Sequence, residues 1–268
     1  MNDLIKAAIL GVVEGLAEFL PISSTGHLIL VNQFVAFSKD FTNMFDYVIQ
    51  LGAILSVFIY FWHKLNPFSR KKTAVERNQT FDLWKKTIVG VIPAVFIGKL
   101  FQESVENYLF NPITVSIALV VGGILLIYIE NRSKTAKIAS MEQLSYRTAF
   151  TIGLIQCAAL IPGTSRSAAT IIGAMLLGAS RVVATEFSFF LAIPSLTGAT
   201  FYYLLKTGFS MTGPEIGVLA VGFTVSFLVA WLVIAAFMRF IQRRDLKPFA
   251  YYRIILGGLI LFYFSLQH

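Results

Sequence analysis

Six stretches of mostly apolar residues, 16 to 24 long, recur at 45–62, 86–101, 112–130, 184–205, 215–238 and 249–266 of this 268-residue chain. Each is near the roughly 20 residues that a helix needs to cross about 30 Å of hydrocarbon. Lipid offers the backbone no hydrogen-bond partners, so the pattern predicts an all-α, polytopic membrane protein. Composition agrees, with 56% hydrophobic and 13% charged residues and a mean hydropathy of +0.73, against about 25% charged residues in a soluble domain. One membrane domain, 1–268, uses the whole length. The N-terminal apolar stretch carries Glu14 and Glu18 and lacks a small-residue cleavage site, so it reads as retained. Pro93 and Pro194 fall inside expected spans and mark kinks, and the single Cys157 can form no intramolecular disulfide.

A net charge of +8 invites a nucleic-acid reading, but the basic residues are not interleaved with stacking aromatics. Seven of the 22 Lys and Arg lie between Lys64 and Lys86, four between Arg132 and Arg147, and four between Arg239 and Lys247. The alternate connections hold almost none: 102–111 carries Glu103 and Glu106 and no base, and 206–215 carries one lysine. This is the positive-inside pattern, which places the three basic loops in the cytoplasm and leaves anionic lipid as their partner.

Two further apolar stretches, 4–37 and 148–180, are each broken by a polar string. The first string runs from Glu14 through Glu18 and Pro21 to Ser23-Ser24-Thr25-Gly26-His27, and the second is Pro162-Gly163-Thr164-Ser165-Arg166-Ser167-Ala168-Ala169-Thr170. The half-stretches, roughly 10 to 17 residues, reach at most about 25 Å and cannot cross the hydrocarbon. Each stretch is expected to enter and leave on one side as a re-entrant helix hairpin followed by three spans. The chain then reads as an inverted repeat, 1–135 and 136–268, with the hairpin tips facing each other near the midplane. Aligning the copies on Pro21 and Pro162 pairs Ala17 with Ala158 and Ser24 with Ser165.

Charged groups at membrane depth are costly and usually serve a cavity where chemistry or transport occurs. Glu14 and Glu18 are four residues apart on one helix face, where two carboxylates share a proton or hold a divalent cation such as Mg²⁺ or Ca²⁺. Ser23, Ser24, Thr25 and Gly26 open the next half-helix, whose free N–H groups favour an anion. His27, three residues from Ser24, is a candidate base for that hydroxyl. In the second tip Gly163, Thr164, Ser165, Ser167 and Thr170 surround Arg166, whose planar fork suits phosphate. Together the tips suggest phosphoryl transfer, with the cation and Arg166 neutralising the phosphoryl oxygens.

Blander readings apply to some of these residues. Ser23, Ser24, Thr164 and Ser165 could serve only as N-caps, and a buried Glu–Arg pair could be structural. Glu130, Arg132, Arg181 and Arg253 lie near expected span ends, where snorkelling is the default. Asp46 and Glu186 begin spans and are ambiguous. Most of the 25 phenylalanines are expected to face lipid or pack, with Trp62, Trp84, Tyr251 and Tyr252 at the interface.

Glu14-x-x-x-Glu18 followed by Pro21-x-Ser23-Ser24-Thr25-Gly26-His27, with Pro162-Gly163-x-Ser165-Arg166-Ser167-x-x-Thr170, resembles the undecaprenyl-diphosphate phosphatase family of bacterial membranes, the bacitracin-resistance phosphatases. The similarity runs the full length, through Ile49-Gln50-Leu51-Gly52 and the stretch from Glu186 to Pro194. It implies a multi-pass enzyme of the bacterial inner membrane, with an interdigitated inverted repeat and a pocket open to the outer face. That enzyme removes the terminal phosphate of a C55 polyprenyl diphosphate in a reaction that needs a divalent cation. On this resemblance Glu14 and Glu18 fall on the acidic motif, Ser24 and His27 on the catalytic serine and histidine, and Ser165 and Arg166 on the phosphate-handling motif. Ala168 departs from it, standing where many members have glycine.

The expected mechanism has Ser24 attacking phosphorus, His27 handling its proton, Glu14 and Glu18 binding the cation, and Arg166 with Ser165 gripping the diphosphate. Histidine or water as nucleophile stays open, as does a homodimer. A secondary transporter or lipid flippase would use the same repeat. A haloperoxidase-type lipid phosphatase is disfavoured, because after Arg166 the next His or Asp is Asp245.

Overall fold

A computed structural model describes residues 1–35, 37–132, 135–207 and 211–266, without the side chains of Lys39, Asp40, Gln102 and Glu106. Parts of two expected connections, 133–134 in the second basic loop and 208–210, lie outside the described residues. Among the described residues are eleven α-helices: α1 (Asp3–Ala17), α2 (Ser24–Val31), α3 (Lys39–Tyr60), α4 (Trp62–Leu65), α5 (Ala74–Tyr108), α6 (Pro112–Asn131), α7 (Tyr146–Gln156), α8 (Arg166–Leu176), α9 (Arg181–Thr207), α10 (Gly213–Ile241) and α11 (Lys247–Ser265). A 3₁₀ turn, Cys157–Leu160, follows α7. Among the described residues the extended pairing is one isolated bridge, Ile138 to Ala179. The all-α expectation therefore holds.

Among the described residues five helices are long and apolar enough to cross a bilayer: α3 from Phe41, α6, α9, α10 and α11. The sixth expected span, 86–101, is helical but belongs to the 35-residue α5, which is not among those five. Its apolar run is punctuated by Lys85, Lys86 and Lys99, and the helix starts twelve residues earlier than expected. Thr73 and Glu76 form a capping box that fixes this start, each satisfying the other's backbone N–H. Pro93 and Pro194 sit inside α5 and α9.

The two broken stretches form helix–turn–helix units, α1 with α2 and α7 with α8, each interrupted at its polar string. Their partners are exchanged between the halves of the chain: α1 packs on α10, and α7 packs on α5. Glycines set these crossings, because helix association in lipid depends on close backbone approach. A Cβ on Gly11 or Gly15 would stand 2.7 Å from the carbonyl oxygen of Gly222 or Ser226 on α10. Gly153 of α7 in turn meets the backbone of Gly90 on α5. The α6 and α11 helices pair similarly, with Gly257 against the Ser116 carbonyl.

Phe19, just beyond α1, joins Phe189 and Phe190 of α9, Phe61 and Phe237 in one buried cluster, with Phe19 and Phe189 edge to face at 5.1 Å. These five pack rather than face lipid. Two residues expected to snorkel do otherwise. Glu130 is buried, paired with Arg181 and accepting the Leu246 N–H at 2.9 Å, and Arg253 has no exposed surface at all. Glu186 accepts both of its bonds from Lys64, each at 2.7 Å.

Candidate active site

Each polar string turns at a serine in the left-handed region, Ser23 with φ 73° and Ser165 with φ 71°. Such a conformation is strained for a residue with a Cβ and persists only where the surroundings impose it, commonly at functional sites. Both serines are N-caps: Ser23 Oγ accepts from the Gly26 N–H at 3.3 Å, and Ser165 Oγ accepts from the Ala168 N–H at 3.2 Å. Ser23 and Ser165 share this turn conformation, whereas the alignment on the prolines pairs Ser24 with Ser165. Gly163, at φ 90°, runs so close to Val115 that no side chain fits.

The turns meet. Arg166 donates from Nη2 to Glu18 Oε1 at 2.9 Å and from Nη1 to the Ser188 carbonyl at 2.9 Å. Ser24 Oγ donates to the other oxygen of the same carboxylate, Glu18 Oε2, at 2.7 Å. Glu18 therefore contacts the candidate nucleophile and the candidate phosphate-binding cation at once, in a setting where its side chain is 5% exposed. Burial from water strengthens such charge-assisted bonds.

Ser167 and Thr170 were expected to touch substrate, but both are fully buried. Ser167 Oγ donates to the Leu20 carbonyl at 2.9 Å, stitching the second turn to the first. Thr170 bonds the Ser188 hydroxyl at 2.6 Å and the Arg166 carbonyl at 2.9 Å. On α8 these positions face the protein, where they brace the second turn and Arg166. The Gly26 N–H is likewise spent on the Ser23 cap.

His27 is not paired with Ser24. Its Nδ1 is 2.7 Å from the Ser23 carbonyl and its Nε2 is 2.6 Å from the Tyr252 hydroxyl, with the two rings within 2° of parallel. A carbonyl can only accept, so Nδ1 carries the proton and Nε2 accepts from Tyr252. Both ring nitrogens are occupied, and Glu18 holds the basic position beside Ser24.

Glu14 is completely buried, and among the described residues neither carboxylate oxygen meets an N–H or hydroxyl donor, while the Glu18 carboxylate lies within hydrogen-bonding reach. Its charged neighbours are Glu18, Asp46 and Arg166. An orphaned carboxylate beside a second one fits a hard cation, and Mg²⁺ usually takes one or two protein carboxylates with the rest from water and substrate phosphate. Among the described residues no three His, Cys, Asp or Glu converge as a metal site.

A cavity of about 630 Å³ opens over the meeting point. Glu18, Ser23, Ser24, Thr25, Gly163, Ser165 and Arg166 form its polar end, while Val91, Ala94, Val95, Phe110, Leu160 and Leu196 supply apolar wall. Such a mixture, mostly apolar with a few convergent polar groups, characterises ligand sites. Glu14, His27, Thr164, Ser167 and Thr170 do not line it. The sequence reading missed Ser188, which holds Arg166; Gln50 and Gln156, which line the cavity; Tyr252, which bonds His27; and Arg253, which donates to carbonyls of both turns. Ser188 and Gln50 lie in stretches that carried the family resemblance, whereas nothing local distinguishes the other three.

A family profile described as "Bacitracin resistance protein BacA" matches residues 7–259. The chain is 51% identical over 266 residues to undecaprenyl-diphosphatase 1 of Clostridioides difficile (strain 630), covering 98% of this chain and 97% of the relative. It is 50% identical to the undecaprenyl-diphosphatase of Lactiplantibacillus plantarum over the full length of both. The undecaprenyl-diphosphatase of Lachnoclostridium phytofermentans is also 50% identical, over 98% of each chain. With the two polar strings meeting at one cavity and the match running nearly end to end, this multi-pass membrane protein belongs to the BacA family of bacitracin resistance proteins.

Proposed function

We propose that this protein hydrolyses undecaprenyl diphosphate to undecaprenyl phosphate and inorganic phosphate, recycling the lipid carrier of cell-wall glycans and so conferring bacitracin resistance. The single observation that carries the reading is Glu18, which accepts the Ser24 hydroxyl and pairs with Arg166 at the polar end of an apolar cavity. The diphosphate sits at that end and the prenyl chain lies along the apolar wall, consistent with a substrate that stays in the bilayer.

Ser24 Oγ attacks the terminal phosphorus while Glu18 takes its proton, and the bond to the bridging oxygen breaks as Glu18 passes that proton to the departing undecaprenyl phosphate, which leaves Glu18 ionised. Water then attacks the phosphoserine, with Glu18 as base, and inorganic phosphate leaves as Ser24 recovers a proton. Arg166 turns from Glu18 towards the phosphoryl oxygens, and its unpaired Nε–H adds a donor for them. Ser165, Thr25 and the Gly163 turn complete the grip. His27, fixed by Tyr252, orients the Ser23 turn. A divalent cation held by Glu14 and Glu18 supplies charge neutralisation at the phosphoryl oxygens when bound.

The same reading has the chain as two inverted repeats, each a re-entrant hairpin and three spans, within the plasma membrane. Three regularities support it. Gly11 and Gly153, Ser23 and Ser165, and the first residues of α3 and α9, Lys39 and Arg181, are each 142 positions apart. The exchanged crossings, α1 on α10 and α7 on α5, are what two interdigitated copies require. The halves of both hairpins, 15 and 8 residues and 11 and 11, are too short to span. By the positive-inside rule the basic connections are cytoplasmic, and the cavity opens to the outer face.

Phosphate released from undecaprenyl diphosphate by purified, detergent-solubilised protein tests the proposal, beside Ser24→Ala and Arg166→Ala. Release by the wild type that disappears in both variants is the expected result. No release from folded wild type overturns it and turns attention to flux across liposomes.

A further inference from the structure

Arg253, on α11, belongs to neither polar string, yet its guanidinium sits between them. It is fully buried, and no carboxylate pairs with it among the described residues. Its partners are five backbone carbonyls. Nη1 donates to Pro21 at 3.2 Å, and Nη2 reaches Thr164 at 2.9 Å, Gly163 at 3.2 Å and Ala118 at 3.1 Å. Nε donates to Leu119 at 3.2 Å. Pro21 precedes Ser23 and Ser24, and Gly163 and Thr164 precede Ser165 and Arg166, so one side chain bridges both turns.

Three of those carbonyls lie in non-helical turns, where lipid offers no replacement partner and an unmet group is costly. A guanidinium meets this need because its donors spread in one rigid plane, which a lysine ammonium cannot match. The fold also clears a place for it. Gly122 on α6 has no Cβ, and the position that a Cβ would take is filled by Arg253 Nη2.

We propose that Arg253 is the positioning residue that holds the Ser24 turn and the Arg166 turn in register, an inference that rests on the phosphatase reading for its catalytic consequence. Each turn keeps its own ligand contacts without Arg253, so substrate still binds. The alignment of Ser24 with a phosphoryl group gripped by the opposite turn is what is lost. A misplacement near 1 Å can cost about 10²-fold in rate.

The test compares wild type with Arg253→Met, Arg253→Lys and Gly122→Ala, the last leaving the guanidinium intact but displaced. For Arg253→Met kcat should fall about 100-fold while KM changes less than about 3-fold; Lys should restore roughly 10-fold of this, and Gly122→Ala should lower kcat in the same sense. An activity-independent arm places spin labels at Leu16→Cys and Ile161→Cys in a Cys157→Ser background. The inter-turn distance distribution should be narrow with Arg253 and broad in Arg253→Met or Gly122→Ala. Wild-type kcat in these variants, a loss confined to KM, or equally narrow distributions would overturn the inference. Should Arg253→Met not fold, Gly122→Ala and Arg253→Lys decide by the same readouts. A wild type that releases no phosphate refutes the phosphatase reading alone, and the distances still judge the register.

Discussion

Glu18 and Arg166 lie 148 residues apart in the chain and 2.9 Å apart in the fold, and the Glu18 carboxylate also accepts the Ser24 hydroxyl. The pair closes the site from opposite halves of the sequence. Neither member is exposed enough for water to replace its partner, with side-chain exposures of 5% and 11%.

Removing one member should therefore damage both stability and rate. Arg166→Ala leaves Glu18 buried and unpaired, with an expected loss of about 3–5 kcal/mol, and lowers kcat by at least about 10³-fold, as loss of a phosphoryl-binding arginine does. Adding Glu18→Gln should recover part of the melting temperature and none of the activity. Recovery of activity in the double variant would show that the ion pair is structural alone.

Ser24→Ala should abolish turnover, and Glu18→Gln should cost about 10²–10⁴-fold, the usual range for a general base. Rapid quenching with substrate labelled in the terminal phosphate should trap a phosphoenzyme, and peptide mapping should place it on Ser24. A label on His27, or none, refutes the serine mechanism.

His27→Gln and Tyr252→Phe remove the two ends of one hydrogen bond. Each should lower kcat by less than about 10-fold, and the double variant should be little worse than either single, because contacting residues are not additive. If His27→Gln is as damaging as Ser24→Ala, histidine rather than Glu18 is the base.

Glu14 lies fully buried beside Glu18, and among the described residues no N–H or hydroxyl donor meets either of its oxygens. Glu14→Gln should weaken cation binding measured by calorimetry without substrate and lower activity. In metal-free buffer it should raise the melting temperature, by about 2–4 °C for each kcal/mol of relieved charge burial. Chelation should stop wild-type phosphate release, and Mg²⁺ or Ca²⁺ should restore it. Full activity in chelator excludes the cation.

Gly153→Ala forces a methyl group into the Gly90 backbone and should destabilise the folded protein by about 1–3 kcal/mol or more. Gly217, on α10 with nothing within 4 Å of its Cβ position, should accept alanine without loss. Equal melting temperatures for the two variants would mean that the α5–α7 crossing has room for a methyl group at Gly153.

The sequence by itself determined the helices, the two interruptions and the polar residues that stand at them. Apolar length is a local property, and an isolated Glu, Arg or Ser string within it stands out against lipid. Tertiary structure alone decided which groups meet: that Ser24 faces Glu18 and not His27, that Ser167 and Thr170 turn inward, and that Arg253 is buried under both turns. A helix closes its own backbone hydrogen bonds within four residues, so its existence is written along the chain. Its partner in a bilayer is not, because lipid is as apolar as a neighbouring helix, and association rests on steric fit at residues such as Gly11, Gly122 and Gly153. Only the packed fold brings those distant small residues, and with them the two turns, into contact.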